Sequence, residues 1–350
     1  MAGRGKGRFD IDAARGIGSA RGQLKGEVLN RLVAGLCCVL AALLPGTGLA
    51  QGFPNKPVRI IVPFAAGSGA DTFARILGAK FSESWGQPVL VENIAGAGGI
   101  IGAQTVAGAP PDGHTMLLSG TSWALSPTLY SKPPYDALKD FVAVGRIGYI
   151  PSVLVVNPSL PVKDVKELLA LARAKPGSLS YSSSGKGAPS HLFVEYLKTM
   201  GKVDILEIPY KNTAQALTDV ISGQVTMNLP ILSAALPQIR AGRLKALAVT
   251  TAKRSSVAPE IPSMAESAGL PDYDAAQWQG LLAPAGTPPD VVAKINAELN
   301  RVLQLPDVKE RIGALGVEFA LTSPQELAVD VRTDLAKWTQ LVRALGISLD

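Results

Sequence analysis

From residue 58 onward, short runs of β-branched and apolar residues alternate with segments of helical periodicity, and this alternation constrains the fold most. Val58-Arg59-Ile60-Ile61-Val62-Pro63-Phe64 is an apolar run suited to a strand covered on both faces. After a glycine turn, Phe73, Ile76, Leu77 and Phe81 fall on one face of a helix spanning about 70–85. Val89 to Asn93 reads as the next strand, Ile100 to Ala107 as a short helix, and His114 to Leu118 as a third strand. Strands separated by helices predict a parallel sheet with right-handed crossovers.

A second series follows Pro151. Its strands are expected at 153–156, 179–182, 205–209, 225–229 and 244–250, with helices near 165–172, 190–200 and 214–222. The apolar stretch from Ala275 to Pro284 can carry the chain back to the first series. Thr287 reads as an N-cap with Pro288 at the first helical position. Ser323-Pro324-Gln325-Glu326 is a capping box opening a last helix to about Leu345. The expectation is an α/β protein of two lobes, residues 53–150 with 276–350 forming one and 151–275 the other.

Residues 1–50 are set aside as a secretory signal. A basic stretch ends at Arg31, thirteen apolar residues run from Leu32 to Leu44, and small residues precede a cut after Ala50. Thirteen residues fall short of the roughly 20 that span a bilayer. This leader holds +4 of the chain's +6 net charge, leaving +2 for the mature part, which has no basic stripe of the kind nucleic acid requires. Both cysteines, Cys37 and Cys38, lie in the leader, so the mature protein has no disulfide or thiolate metal site.

The chemistry-bearing residues point away from catalysis. Only His114 and His191 are present. His114 follows a Pro-Asp-Gly turn and reads as a surface turn residue. His191 opens a helix, where the macrodipole favours neutral imidazole, and both a ligand-facing and a packed role fit it. The serines of Tyr181-Ser182-Ser183-Ser184-Gly185-Lys186-Gly187 match neither the G-x-S-x-G nucleophile elbow nor the phosphate-binding P-loop. A secreted hydrolase therefore lacks its signature.

What the glycine turns offer is backbone N–H groups at helix starts, where the first donors have no helical acceptor and the macrodipole is positive. Ala66-Gly67-Ser68 stands in one turn and Gly185-Lys186-Gly187 in the other, one per lobe. Asn93, Ser119, Thr121, Ser122, Ser182 and Ser183 fall at the carboxyl ends of expected strands, where ligands of open α/β sheets collect. Two such turns facing across a cleft would grip a small carboxylate without an arginine clamp or a cofactor.

The same residues carry a resemblance. Phe53-Pro54-Asn55-Lys56-Pro57-Val58-Arg59, Ala66-Gly67-Ser68-Gly69-Ala70-Asp71, Gly96-Ala97-Gly98-Gly99, Pro111-Asp112-Gly113, Ile208-Pro209-Tyr210-Lys211 and Ala283-Pro284-Ala285-Gly286-Thr287-Pro288 resemble motifs of substrate-binding proteins of tripartite tricarboxylate transporters, the Bug family. The match begins near residue 53. The resemblance implies a two-lobe periplasmic-binding-protein fold of type II, the Venus flytrap. It implies a periplasmic monomer that captures a tri- or dicarboxylate or related acid and hands it to membrane transporter subunits. A binder presenting its ligand to a membrane sensor fits equally. The implied site comprises Phe64, Ala66, Gly67, Ser68 and Asp71 of the first loop. Thr121, Ser122 and Tyr210 join it, with Ser182, Ser183, Ser184, Gly185, Gly187 and His191 of the second loop. Ser68 stands where the family often has glycine. Pro230 stands where many relatives carry an acidic residue, which disfavours an amino-acid ligand.

Overall fold

The computed structural model describes residues 52–350. The leader, its cleavage point and both cysteines lie outside the described residues. The first sheet contains β1 (Val58–Val62), β2 (Val89–Asn93), β3 (Thr115–Gly120), β4 (Phe141–Ile150), β10 (Gln277–Pro284) and β11 (Glu318–Phe319). Its strand order is β11-β4-β10-β3-β1-β2. The second contains β5 (Val153–Val156), β6 (Ser180–Ser183), β7 (Leu206–Pro209), β8 (Met227–Asn228) and β9 (Lys245–Val249), in the order β7-β6-β8-β5-β9.

Neither sheet is purely parallel, as the alternation alone had suggested. β1 pairs in parallel with β2 and β3, but β10 lies antiparallel between β3 and β4. The reason is connectivity. β10 enters from the other lobe and so approaches from the opposite end. In the second sheet β5 is likewise antiparallel to both β8 and β9.

The pleat sorts side chains between two cores. Val58, Ile60 and Val62 face α1 (Gly69–Trp85) and α9 (Pro289–Val302), packing with Phe73, Leu77, Phe81 and Ile295. Ile61 points the other way, toward Ile100 of α2 (Ile100–Ala107) and Leu327 of α11 (Pro324–Leu345). In β5, Leu154 and Val156 share one core while Val153 and Val155 share another. These side chains are fully buried. Each contributes about 1.5–3 kcal/mol by leaving water.

The second lobe's helices are α4 (Val165–Ala174), α5 (Pro189–Gly201), α6 (Thr213–Ile221), α7 (Leu232–Arg240) and α8 (Met264–Ala268). The remaining elements are the short α3 (Thr121–Leu125) and α10 (Pro306–Gly313). β4 and α7 were not expected from the sequence. Gly145, Arg146 and Gly148 break the apolar pattern of β4, and Pro237 interrupts that of α7. The glycines are steric. A Cβ at Gly148 would run into the Glu318 carbonyl of β11, and one at Gly145 would meet Asn296 of α9. Thr287 is not the N-cap either. Pro288 holds that position, and the Thr287 hydroxyl donates to the Pro284 carbonyl at 2.7 Å.

The chain passes between the sheets twice, from β4 to β5 and from β9 to β10. These passages are tied together. Thr250 N–H donates to the Ser152 carbonyl at 2.9 Å, and Ala275 N–H donates to the Thr250 carbonyl at 3.0 Å. α11 also serves both lobes. Its Leu327 and Val331 pack with the first sheet, while its Trp338, Leu341 and Val342 join the core around Phe193 of α5. Trp338 stacks on Phe193 at 5.3 Å.

Candidate ligand-binding site

The carboxyl ends of β1, β3 and β6 lead into the Phe64 turn, into Thr121-Ser122 and into the Ser184–Pro189 turn. Two cavities open there. The smaller, about 300 Å³, is lined by Phe64, Gly98 and Ser122 from the first sheet's side and by Lys186, Gly187 and Pro189 from the second's. The larger, about 610 Å³, is lined by Ser122 and Gln277 on one side and by Ser183, Ser184, Thr213, Asn228 and Ile231 on the other. They share Ser122, Ala188 and Pro189, so together they form one cleft walled by both lobes. A still larger depression of about 1110 Å³ lies between residues 127–140 and the C-terminal tail and shares Leu129 and Tyr130 with the smaller cavity. No residue of the turns at 64–71 or 184–191 lines it, so it has none of their helix-start donors.

The first turn is braced from within. The buried Asp71 carboxylate accepts the Gly67 N–H at 2.9 Å, the Arg75 guanidinium at 3.1 Å and the Asn93 amide at 3.0 Å. Those donors, Arg75 first, hold its pKa below the ordinary carboxylate range. Ser68 is the N-cap of α1, its Oγ accepting the Asp71 N–H. Asp71 therefore braces the turn. The N–H groups of Gly69 and Ala70 are left without a protein acceptor among the described residues.

The second turn is similarly self-bonded. Ser183 Oγ accepts the Gly185 N–H at 2.9 Å and donates to Glu207 at 2.6 Å. Ser190 Oγ accepts the Ser184 N–H at 2.9 Å. His191 Nδ1 accepts the Gly187 N–H at 3.3 Å, which leaves the ring proton on Nε2, 3.5 Å from Glu207. Burial lowers the His191 pKa against the opposing pull of Glu207, so the imidazole is neutral at pH 7. Lys186 and Ser190 keep free N–H groups. The exposed Lys186 ammonium is the one charged side chain among the residues lining the two cavities.

The structure thus brings Phe64, Ser122, Ser183, Ser184 and Gly187 to the cleft. The other expected site residues stand back from it. Thr121 Oγ1 accepts the Trp278 N–H at 2.8 Å and locks β10 to the end of β3. Tyr210 donates its hydroxyl to Asp219 at 2.6 Å. Ser182 is buried, and Ala66, Gly67, Ser68 and Gly185 lie on the turns without lining either cavity. His114 is buried as well, edge-on to Phe53 at 4.9 Å, and is not the surface residue its turn suggested. Thr213 and Asn228 went unnoticed in the sequence. Asn228 ends a two-residue strand and Thr213 opens a helix, so the strand-end rule applied to β7 and β8 would have found both. Among the described residues no group of three or more His, Cys, Asp or Glu side chains is placed to hold a metal ion.

The model of the tripartite tricarboxylate transporter family receptor matches residues 73–347. The chain belongs to this family. The receptor is 36% identical to the protein BugT of Bordetella pertussis over 302 residues, which are 86% of this chain and 92% of BugT. Among solved structures, R. palustris Rpa4515 with adipate is 35% identical, with a TM-score of 0.70 over 85% of this chain and 99% of the other. MatC from Rhodopseudomonas palustris, with bound malate, is 33% identical, with a TM-score of 0.67 over 83% and 100%. The receptor's fold is that of the type II periplasmic solute-binding proteins, two α/β lobes joined by crossing strands. No helix among its described residues is long and apolar enough to cross a membrane.

Proposed function

We propose that this receptor is exported to the periplasm, captures a small carboxylate reversibly between its lobes and delivers it to a membrane transporter, without catalysing a reaction. The observation that carries the reading is the cleft itself. The turns after β1 and β6, one from each sheet, carry helix-start N–H groups without a protein acceptor among the described residues, at Gly69-Ala70 and at Lys186 with Ser190, and Phe64, Lys186 and Ser190 line the cleft. Such ends bind anions through fixed dipoles. Neutral hydroxyls and one lysine complete the wall, which suits capture and release better than proton transfer. The adipate and malate bound by two relatives support a carboxylate. Residues 53–150 with 276–350 would close on 151–275 about the paired crossings at Ser152 and Thr250.

Export predicts a mature chain beginning at Gln51. Mass spectrometry of the native protein checks this, and a mature terminus upstream of Leu32 would reject the leader. A thermal-shift screen of the leaderless protein tests capture. An acid present at 100 times its Kd stabilises by about 2.7 kcal/mol. Carboxylates should shift the melting point while amines and neutral sugars do not.

A further inference from the structure

The larger cavity of the cleft has no charged wall. Among the residues that line its 610 Å³ there is no Asp, Glu, Lys, Arg or His. Ala214, Leu217, Ile221, Leu229, Ile231 and Ala234 supply its apolar surface. Its polar groups, such as Thr213, Asn228 and Gln277, are neutral. Ile231 is 38% exposed, a large aliphatic side chain left open on a cavity wall. The start of α6 borders this cavity but does not offer it an anion site. Asn212 Oδ1 already accepts the Ala214 and Gln215 N–H groups at 2.9 and 3.4 Å. The smaller cavity differs, because Lys186 and Gly187 of the second turn line it opposite Phe64, at the end of β1.

From this polarity we infer that the acid taken by the receptor is amphipathic, with a single carboxylate at the Lys186 end of the cleft and an uncharged, mainly apolar body in the larger cavity. The inference rests on the proposed carboxylate capture and narrows it. A second ionised carboxylate in the larger cavity would lose water and gain only neutral donors, and burying an unpaired charge is far costlier than burying a neutral polar group. An alkyl or aryl body loses nothing there and removes the exposed face of Ile231 from water.

Calorimetry with acids of equal chain length tests the inference. Hexanoate and adipate differ only in whether the far end is a methyl group or a second carboxylate. Hexanoate should bind at least about tenfold more tightly, a difference of about 1.4 kcal/mol. Equal or tighter binding of adipate overturns the inference while leaving carboxylate capture standing. If neither these acids nor benzoate and phthalate bind and a neutral sugar does, carboxylate capture itself fails and the inference falls with it. Ile231→Lys places a cation on the partly exposed wall and should leave the fold intact by circular dichroism. It should raise adipate affinity relative to hexanoate by tenfold or more. An unchanged ratio in the folded variant would show that the far end of the ligand does not lie in this cavity.

Discussion

The carboxylate of Asp71 accepts the backbone N–H of Gly67 at 2.9 Å, so the first helix of the receptor holds its own preceding turn in place. Asp71 is buried, covered by Gly67, Arg75 and Asn93. Asp71→Ala should destabilise the protein by about 1–3 kcal/mol, the range for stranding partners of a charged hydrogen-bond acceptor. It should also weaken ligand binding, although the side chain faces away from the cleft. Denaturant melts and calorimetry of the variant check both. Full affinity with lost stability would separate the turn from the site.

Gly187 of the second turn lies against Leu129, in the connection between β3 and β4. Its φ of +81° lies in the left-handed region, and a Cβ there would sit 2.6 Å from the Leu129 side chain. Leu129 is itself buried and cannot swing aside freely. Gly185 has a φ of +101° with open space around it. Both alanine variants incur about 1–2 kcal/mol of backbone strain, but Gly187→Ala also wedges the cleft. Its ligand affinity should fall several-fold further than that of Gly185→Ala. Equal losses in the two variants would mean that the Leu129 contact has no part in capture.

His191 makes the second turn sensitive to pH. Its folded pKa is lowered from the ordinary value of 6.5 by burial, so the neutral ring is the form that fits. The unfolded chain then binds more protons than the folded one between the two pKa values. This contribution to stability is fully present above pH 6.5 and is lost as pH falls toward the folded pKa. Melting temperature should therefore fall between neutral and mildly acid pH. The slope should flatten in His191→Asn, whose Oδ1 can still accept the Gly187 N–H. A slope identical in both proteins would assign it to other groups.

The sequence is most informative where one local rule governs. β2, α2 and β5 lie at the expected residues because their apolar periods are unbroken. Ser323 and Glu326 form the expected reciprocal cap because a capping box needs only four consecutive residues. β4 escapes because Gly145 and Gly148 are dictated by α9 and β11, which are distant in sequence. The site divides in the same way. Which loops form the cleft follows from strand ends and glycines. Which side chains reach it does not, because Ser183 and His191 are engaged by Glu207 on a neighbouring strand, and Thr121 by the backbone of Trp278 on β10. Pairing across strands cannot be read from either partner alone.

Amide hydrogen exchange with and without a bound acid tests most directly whether ligand is gripped by both lobes at once. Peptides covering 64–72 and 184–192 should gain protection together on addition of hexanoate, with little change at 132–140, which borders the largest depression but neither cavity of the cleft. Protection confined to one turn, or appearing at 132–140 instead, would contradict capture between the two glycine turns.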